Sequence, residues 1–261
     1  MWRTWSRDLW CEPAVAERPA TTADVVAAVG RAAGAGLTVR AAGSGHSFTG
    51  AALTDGVLLL PDRLTGLVDV DPPSGRVRVR AGTTIRELCA LLADHGLALA
   101  NLGDIDAQTI AGAIATGTHG TGAGLPGLAA QVAALQLVAA SGEVLEVDGS
   151  RPELLRAARV SLGALGVVTE VELRAVPAFT LRGADGPLPL VDVLDGLDEH
   201  VAAHRHFEFF VFPHADVALT RANDVVDGPP RPRGRARAWT EDVLLGNRAF
   251  HALCLAGRAA P

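Results

Sequence analysis

The chain has 261 residues, a formal net charge of −6 at pH 7 and 49% hydrophobic residues. This length allows one or two domains with a sizeable core. The charge is spread out, and without a concentrated basic face no nucleic-acid partner is expected. No apolar run approaches the ~20 residues that span a bilayer, and the first residues contain no apolar signal segment, so we expect a cytoplasmic protein.

The first part of the chain alternates helix and strand patterns. Thr21 and Asp24 form a capping pattern that starts a helix, and Thr84 and Glu87 form a second one. Strands are predicted at Leu37–Val39, Val57–Leu60, Val68–Val70 and Arg76–Arg80. In the last of these, arginine and valine alternate, which predicts one buried face and one solvated arginine face, with anion binding by the arginines as the alternative.

The segment Ala42–Ser47, with the sequence Ala-Gly-Ser-Gly-His-Ser, follows the first of these strands. Its glycines permit tight turns and positive φ angles, so successive backbone N–H groups can face one anion. His46 places an imidazole in the same loop. The segment therefore predicts a phosphate-binding turn that carries a reactive imidazole.

Two familiar glycine motifs do not fit this loop. A dinucleotide-binding fingerprint needs a third glycine three residues after Gly45 and then a helix. Position 48 is Phe, and a strand pattern follows it. A P-loop needs a lysine, and the chain contains none, which also excludes a Schiff base formed by the protein.

A second unusual stretch, residues 102–124, consists almost entirely of small residues. Small side chains allow backbone amides and carbonyls to contact a flat ligand directly. A flexible linker is the structural alternative, but linkers are rarely interrupted by residues such as Ile105, Ile110 and Ile114. We therefore interpret the stretch as a ligand-contacting segment.

The patterns that follow complete one domain and begin another. A hairpin with a two-residue turn at Ser141-Gly142 and a helix capped around Ser150 are predicted before Pro177. Beyond it come two aromatic strands, a helical stretch between them, a proline and arginine loop at 228–235 expected to be mobile, and a short helix at 243–245. One or two strands and a helix cannot close a sheet-based domain, so the second domain is expected to be incomplete and Phe207–Phe212 to lack partner strands.

The cysteines and most histidines predict no reactive site. Cys11, Cys89 and Cys254 have no CxxC spacing, which predicts buried structural thiols rather than disulfides or zinc ligands. His204 and His206 lack a third ligand, so no metal site is predicted.

Several motifs together resemble the PCMH-type FAD-binding domain of the vanillyl-alcohol-oxidase superfamily. The motifs are Ala42–Phe48, Gln108–Gly112, Thr116–Gly120 and Leu165–Val171. Within the superfamily, the chain is most similar to the aldonolactone and alditol oxidases. The resemblance is close from Cys11 to Pro177 and continues through 206–213.

This resemblance implies an α+β fold, with a two-subdomain FAD-binding domain over residues 11–177 and an incomplete α+β substrate domain over 178–261. Backbone donors of Gly43–Ser47 and Thr116–Gly120 would hold the pyrophosphate and ribityl chain of FAD, and 166–168 would pass near the adenine. The implied cofactor-binding residues are Ala42, Gly43, Ser44, Gly45, His46, Ser47, Gly103, Thr109, Gly112, Thr116, Gly117, Thr118, His119, Gly120, Gly166, Val167 and Val168.

The resemblance also gives roles to two histidines. It implies that His46 bonds covalently to the 8α carbon of the isoalloxazine, because a neutral imidazole nitrogen is nucleophilic and the attached ring raises the reduction potential. It implies a positioning role for His119 near phosphate or ribityl oxygens, with a purely structural hydrogen bond as the alternative.

The implied activity is oxidation of a CH–OH group of a sugar lactone or alditol, with hydride transfer to flavin N5 and reoxidation by O₂ to H₂O₂. A dehydrogenase with another acceptor, or a truncated flavin-binding protein without turnover, is the alternative. The His-Trp-x-Lys type segment of the family's later strands is absent from this sequence, so no catalytic base is assigned and oxidation is expected to be slow or absent.

Overall fold

The structure, a computed structural model, describes residues 1–232 and 234–259. The strands in this part of the chain are β1 Trp2–Arg3, β2 Trp10–Cys11, β3 Val15–Glu17, β4 Val39–Ala41, β5 Val57–Leu59, β6 Leu67–Asp71, β7 Arg76–Arg80, β8 Leu97–Ala98, β9 Val132–Val138, β10 Val144–Val147, β11 Val167–Arg174, β12 Val176–Pro177, β13 Thr180–Pro189, β14 His206–Val211 and β15 Val217–Val226. The helices are α1 Thr22–Gly34, α2 Ile85–Asp94, α3 Ile110–Ala115, α4 Pro152–Arg159, α5 Leu190–Asp195, α6 Leu197–Ala203, α7 Arg235–Ala238 and α8 Phe250–Ala259, with a π-helical segment, Trp239–Ala249, between the last two.

The chain divides into two compact units. One contains residues 1–179 and 183–224, and the other contains 180–182 and 225–261. This division assigns 183–224 to the first unit, whereas the sequence analysis places them in the second domain. The domain boundaries of the sequence analysis stay a prediction.

The first subdomain of the larger unit is a parallel sheet, β3-β5-β4, packed against helix α1. The central strand β5 is buried along its whole length. Helix α1 begins as predicted: the Thr21 hydroxyl accepts a hydrogen bond from the Asp24 N–H, and the Asp24 carboxylate accepts from the Thr21 N–H. A hydrogen bond from the Ala20 N–H, together with those from Thr21, lowers the pKa of Asp24. The local pattern is sufficient to start this helix.

The second subdomain is an antiparallel sheet of order β10-β9-β11-β7-β6, covered by α2, α3 and α4. Its core includes Leu88, Ile110, Leu135 and Leu173, each with at most 1% of its surface exposed. These two subdomains, each with its own hydrophobic cluster, confirm the predicted α+β class and the two-part architecture.

The arginine face of β7 is paired across the sheet rather than only solvated. Arg78 contacts Glu170 on β11 at 2.6 Å and Glu146 on β10 at 2.7 Å. Arg76 contacts Glu172 at 2.6 Å. The ion pairs between β7 and β11 are diagonal, because Arg78 is in register with Glu172 and Arg76 with Arg174. Diagonal neighbours of opposite charge stabilise strand pairing.

A three-stranded sheet of order β13-β15-β14 follows. The sequence analysis missed β15, so the expectation that Phe207–Phe212 lacks a partner strand was wrong: Phe207 pairs with Ala222, and Phe210 with Leu219. The apolar residues of β15 are interspersed with Thr, Arg, Asn and Asp, which hides the strand in the sequence. In the described residues β14 is an edge strand.

The turn between β9 and β10 and the cap of α4 differ from their predictions. The turn between β9 and β10 has three residues, 140–142, because the Ala139 N–H donates to the Glu143 carbonyl and Gly142 adopts a φ of +84°. Ser150 does not cap α4; its N–H and hydroxyl both donate to Asp148.

The cysteines were also expected to be buried. Cys11 and Cys89 are half-buried, and Cys254, on α8, is exposed.

The smaller unit contains α7, the π-helical segment and α8. Within it, the Thr180 hydroxyl donates to the Gly228 carbonyl at 3.0 Å. The predicted proline and arginine loop includes residue 233, which lies outside the described residues. No helix in the described part of the chain combines the length and apolar character needed to cross a bilayer.

Candidate functional site

A cavity of about 830 Å³ lies in the larger unit, and both subdomains line it. This volume is within the 300–1,000 Å³ range of small-molecule and cofactor pockets. The structure brings many of the predicted cofactor-binding residues to its wall: Ala42, Gly43, Ser44, Gly45, His46, Ser47, Thr109, Gly112, Thr116, Gly166, Val167 and Val168. Segments that are far apart in the sequence thus share one cavity.

The loop 43–47, which lines this cavity, contains a run of unused donors. Among the described residues, the backbone N–H groups of Gly43 through Ser47 have no hydrogen-bond partner. The loop is anchored on both sides, because the Ala42 N–H donates to the Leu59 carbonyl at 2.9 Å and the Gly45 carbonyl accepts from the Trp5 N–H at 2.8 Å. Consecutive N–H groups of this kind form an anion-binding concavity.

The loop rests directly on the segment 107–112. A Cβ atom added to Gly43 would lie 2.2 Å from Thr109 Oγ1, so no larger residue fits at this position. The Ser44 hydroxyl donates to the Ala107 carbonyl. Thr109 in turn caps α3 by accepting a hydrogen bond from the Gly112 N–H at 3.2 Å. Glycine is required at 43 because the two segments approach so closely.

The segment beneath the loop is held by the first turn of α2. The Ile85 N–H donates to the Gln108 carbonyl and the Arg86 N–H to the Asp106 carbonyl, both at 2.9 Å. The Arg86 side chain also contacts the Asp106 carboxylate through two hydrogen bonds of 2.8 and 2.9 Å. These side-chain bonds lower the pKa of Asp106. The N-terminus of α2 therefore fixes the position of Thr109.

Gly166 closes another wall of the cavity at the start of β11. Its φ of +144° is accessible mainly to glycine, and an added Cβ would lie 2.4 Å from the Val138 carbonyl oxygen. Val167 then pairs with Val138. The glycine thus allows β11 to begin directly against β9.

The other predicted residues, Gly103, Gly117, Thr118, His119 and Gly120, do not line this cavity. The Thr118 N–H donates to the Ala113 carbonyl at 2.9 Å and the Gly117 N–H to the Ile114 carbonyl at 3.1 Å, which ends α3 in a Schellman motif.

The Thr116 N–H is also bonded within α3, to the Gly112 carbonyl. His119 Nδ1 lies 3.0 Å from the Gly120 carbonyl oxygen. The backbone donors at 116–118 are therefore occupied, whereas those at 43–47 are not.

His46 is half-buried and stacks on Trp5, with the ring centroids 5.1 Å apart and an angle of 25° between the rings. Sequence reasoning missed Trp5. No spacing rule connects the first residues of the chain to this loop, so only the folded structure identifies the contact.

Sequence reasoning also missed a charged cluster on the three-stranded sheet. Arg221 contacts Asp185 at 3.1 Å and Glu208 at 3.5 Å. Burial and the nearby charge of Asp104 raise the pKa of Glu208. In the described residues, no group of three or more His, Cys, Asp or Glu side chains is arranged to hold a metal ion.

The fold and the cavity define a two-subdomain α+β unit with a cavity of cofactor size. A family model described as FAD binding domain matches residues 13–148, and one described as D-arabinono-1,4-lactone oxidase matches 171–261. The chain belongs to the FAD binding domain family.

Curated relatives extend this result. The chain is 44% identical to the L-gulono-1,4-lactone dehydrogenase of Mycobacterium tuberculosis, over 100% of the chain and 60% of the relative. It is 36% identical to the L-gulonolactone oxidase of Bos taurus, over 94% of the chain and 55% of the relative. It is 34% identical to the D-arabinono-1,4-lactone oxidase of Yarrowia lipolytica, over 88% of the chain and 45% of the relative. The chain thus spans about half the length of the relatives that it matches.

Solved structures support the fold. The cholesterol oxidase of B. sterolicum matches with a TM-score of 0.78 and 23% identity, over 89% of this chain and 48% of that one. A solvent-stable cholesterol oxidase matches with a TM-score of 0.79 and 22% identity, over 88% and 48%. The predicted PCMH-type FAD-binding fold is therefore confirmed.

Proposed function

We propose that the chain is a FAD-dependent oxidoreductase that oxidises a CH–OH group of a sugar lactone. The observation that carries the cofactor assignment is the run of free N–H groups from Gly43 to Ser47, residues that line a cavity of about 830 Å³. A pyrophosphate carries charged oxygens that such donors bind. The names of the lactone oxidases and dehydrogenase that the chain resembles support the substrate class. An alditol is the alternative substrate of the same chemical type.

The protein side of the mechanism is positioning. The N–H groups of 43–47 would hold the pyrophosphate of FAD, and the glycine at 43 keeps Thr109 in contact with the loop. Bound FAD would supply two-electron oxidation of the CH–OH group, with O₂ as the final acceptor and H₂O₂ as its product. A dehydrogenase with a different acceptor is a second candidate, because the relative with 44% identity carries that name.

We further propose that His46 bonds covalently to the flavin 8α carbon. His46 lines the cavity, and neither of its ring nitrogens hydrogen-bonds to a described residue, so a lone pair is available. The net reaction removes one hydrogen from the 8α methyl group and one from the imidazole. The electron pair reduces the flavin and then O₂, which yields H₂O₂.

Acid precipitation after reconstitution with FAD tests the covalent bond. The wild-type pellet should stay yellow, and the flavin mass should map to the peptide that contains His46. His46→Ala should bind FAD but release all of it on denaturation, because the backbone donors remain. His95→Ala is the matched control, since that imidazole contacts the Leu91 carbonyl on α2 instead. Complete release of flavin from the wild type would contradict the covalent bond.

Anaerobic mixing with lactones and alditols tests the activity. Lactones should bleach the flavin more strongly than alditols of the same length, and admission of O₂ should restore the colour with formation of H₂O₂. Recovery only with an artificial electron acceptor would favour the dehydrogenase. Bleaching should be slow, because the His-Trp-x-Lys type segment is absent from this sequence. Protein that binds FAD but is not bleached by any of these compounds, even after hours, would contradict the proposed activity and favour the flavin-binding protein without turnover.

A further inference from the structure

The N-terminal residues form a small hairpin with an unusually buried centre. Strand β1 pairs with β2, with Trp2 opposite Cys11. Between them, only 4% of the Thr4 surface is exposed. The Thr4 N–H donates to the Leu9 carbonyl at 3.0 Å. The hairpin is thus a defined part of the larger unit.

This hairpin packs on the glycine loop. The Trp5 N–H donates to the Gly45 carbonyl at 2.8 Å. A Cβ atom added to Gly45 would lie 3.1 Å from Trp2 Cζ2 and 3.4 Å from the Trp5 nitrogen, and the φ of Gly45 is +71°. Backbone conformation and close packing therefore both require glycine here.

The Trp5 ring lies against the imidazole of His46. The centroids are 5.1 Å apart, within the 4.5–7 Å range of aromatic pairs. Trp5 is 63% exposed, so it lies at the surface. Its ring stacks on the His46 imidazole. Trp10, on the other strand of the hairpin, is 56% exposed and has no ring contact with a described residue.

The stack has a specific consequence for His46. A protein usually orients a functional imidazole by a hydrogen bond to one of its nitrogens, but neither nitrogen of His46 bonds to a described residue. No hydrogen bond to a described residue therefore selects one of the staggered rotamers of the His46 side chain. Contact with Trp5 covers one face of the ring and leaves both nitrogens, which lie at the ring edge, accessible.

We propose that Trp5 is a positioning residue that holds the His46 imidazole in the orientation needed for its attachment to the flavin. This inference rests on the proposed covalent bond. It assigns to the N-terminal hairpin a part in cofactor attachment in addition to its packing.

The test compares Trp5→Ala, Trp5→Phe and Trp10→Ala with the wild type in the full chain. Apoprotein is mixed with FAD, and the acid-stable fraction is followed over time together with total bound FAD. Trp5→Ala should attach flavin about 10-fold more slowly or worse, since a misplaced reacting group can cost about 10²-fold. Total FAD binding should not change. Trp5→Phe should restore most of the rate, and Trp10→Ala should match the wild type.

A second readout reports the stack itself. In the apoprotein, the NMR signals of the His46 ring protons should lie upfield in the wild type and Trp5→Phe, and move downfield in Trp5→Ala. Attachment at the wild-type rate in Trp5→Ala would overturn this inference while leaving the covalent bond intact. Equal slowing in Trp10→Ala would also overturn it. Failure of the wild type to attach flavin would overturn both proposals together.

Discussion

The hydroxyl of Thr109 occupies the space that a side chain on Gly43 would need, because an added Cβ would lie 2.2 Å from Thr109 Oγ1. The same hydroxyl caps α3 through the Gly112 N–H. One oxygen atom therefore joins the glycine loop of the first subdomain to a helix of the second. Because of this contact, the residue type that fits at position 43 depends on the side chain at position 109.

We expect Gly43→Ala and Thr109→Ala to be strongly non-additive. Gly43→Ala forces backbone movement, and overpacking of this kind costs about 1–3 kcal/mol. Thr109→Ala removes a helix cap, at a cost of about 1 kcal/mol. In the double variant the clash with Oγ1 is gone and the nearest remaining atom of residue 109 is its Cβ, at 3.3 Å. The double variant should therefore lose less unfolding free energy than the two single variants lose together. Urea denaturation of all three variants measures these losses.

Gly124→Ala is the control for the first variant, since no atom lies within 4 Å of an added Cβ there and its φ is not positive. It should change stability and FAD binding little. Additive behaviour of the two variants would contradict the direct contact between Gly43 and Thr109.

FAD should bind more tightly than riboflavin. The free N–H groups of 43–47 select a ligand with phosphates, and riboflavin has none. At a concentration 100 times its Kd, a ligand stabilises the folded state by about 2.7 kcal/mol. FAD should therefore raise the Tm at concentrations where riboflavin does not. Equal Tm shifts with FAD and riboflavin would contradict an anion-binding role for this loop.

Asp106→Asn should destabilise the protein in a pH-dependent way. Hydrogen bonds from Arg86 lower the pKa of Asp106 in the folded state. A lowered carboxyl pKa stabilises the fold above the unfolded value, near 3.9, and this stabilisation is lost as the pH falls through the folded pKa. Both side chains are largely exposed to solvent, which screens the pair, so the effect at pH 7 should be small.

The Tm difference between Asp106→Asn and the wild type should therefore be full at neutral pH and vanish in acid. Arg86→Gln removes the other partner and should give the same profile. A Tm difference that does not change with pH would exclude the ion pair as its cause.

The thiols should differ in reactivity. Burial, with a smaller effect from Asp106, raises the pKa of Cys89, which reduces the thiolate that reacts with alkylating agents. Cys254 is exposed on α8. Peptide mapping after brief treatment with iodoacetamide should therefore find Cys254 labelled well before Cys89, and denaturant should abolish the difference. Faster labelling of Cys89 in the folded protein would contradict its buried position.

Local sequence patterns predicted some elements of the fold correctly and missed others. The caps at Thr21 and Thr84 were predicted correctly because a helix start depends on a few adjacent residues. Strand β15 was missed because its pairing with β14 compensates for a weak local pattern. The cytoplasmic location, the positions of the cofactor contacts and the roles of His46 and His119 stay predictions.

By itself, the sequence determined the α+β class and the glycine loop at 43–47, because element patterns, backbone freedom and donor spacing are properties of adjacent residues. The kind of cofactor was indicated by the resemblance of several motifs to an FAD-binding domain. Only the tertiary structure decided that Gly43 meets Thr109 and that Trp5 meets His46. These contacts join residues far apart in the chain, and their partners are selected by the packing of whole elements. No local pattern in the sequence indicates these contacts. In the folded chain, close packing leaves few alternative partners for each residue.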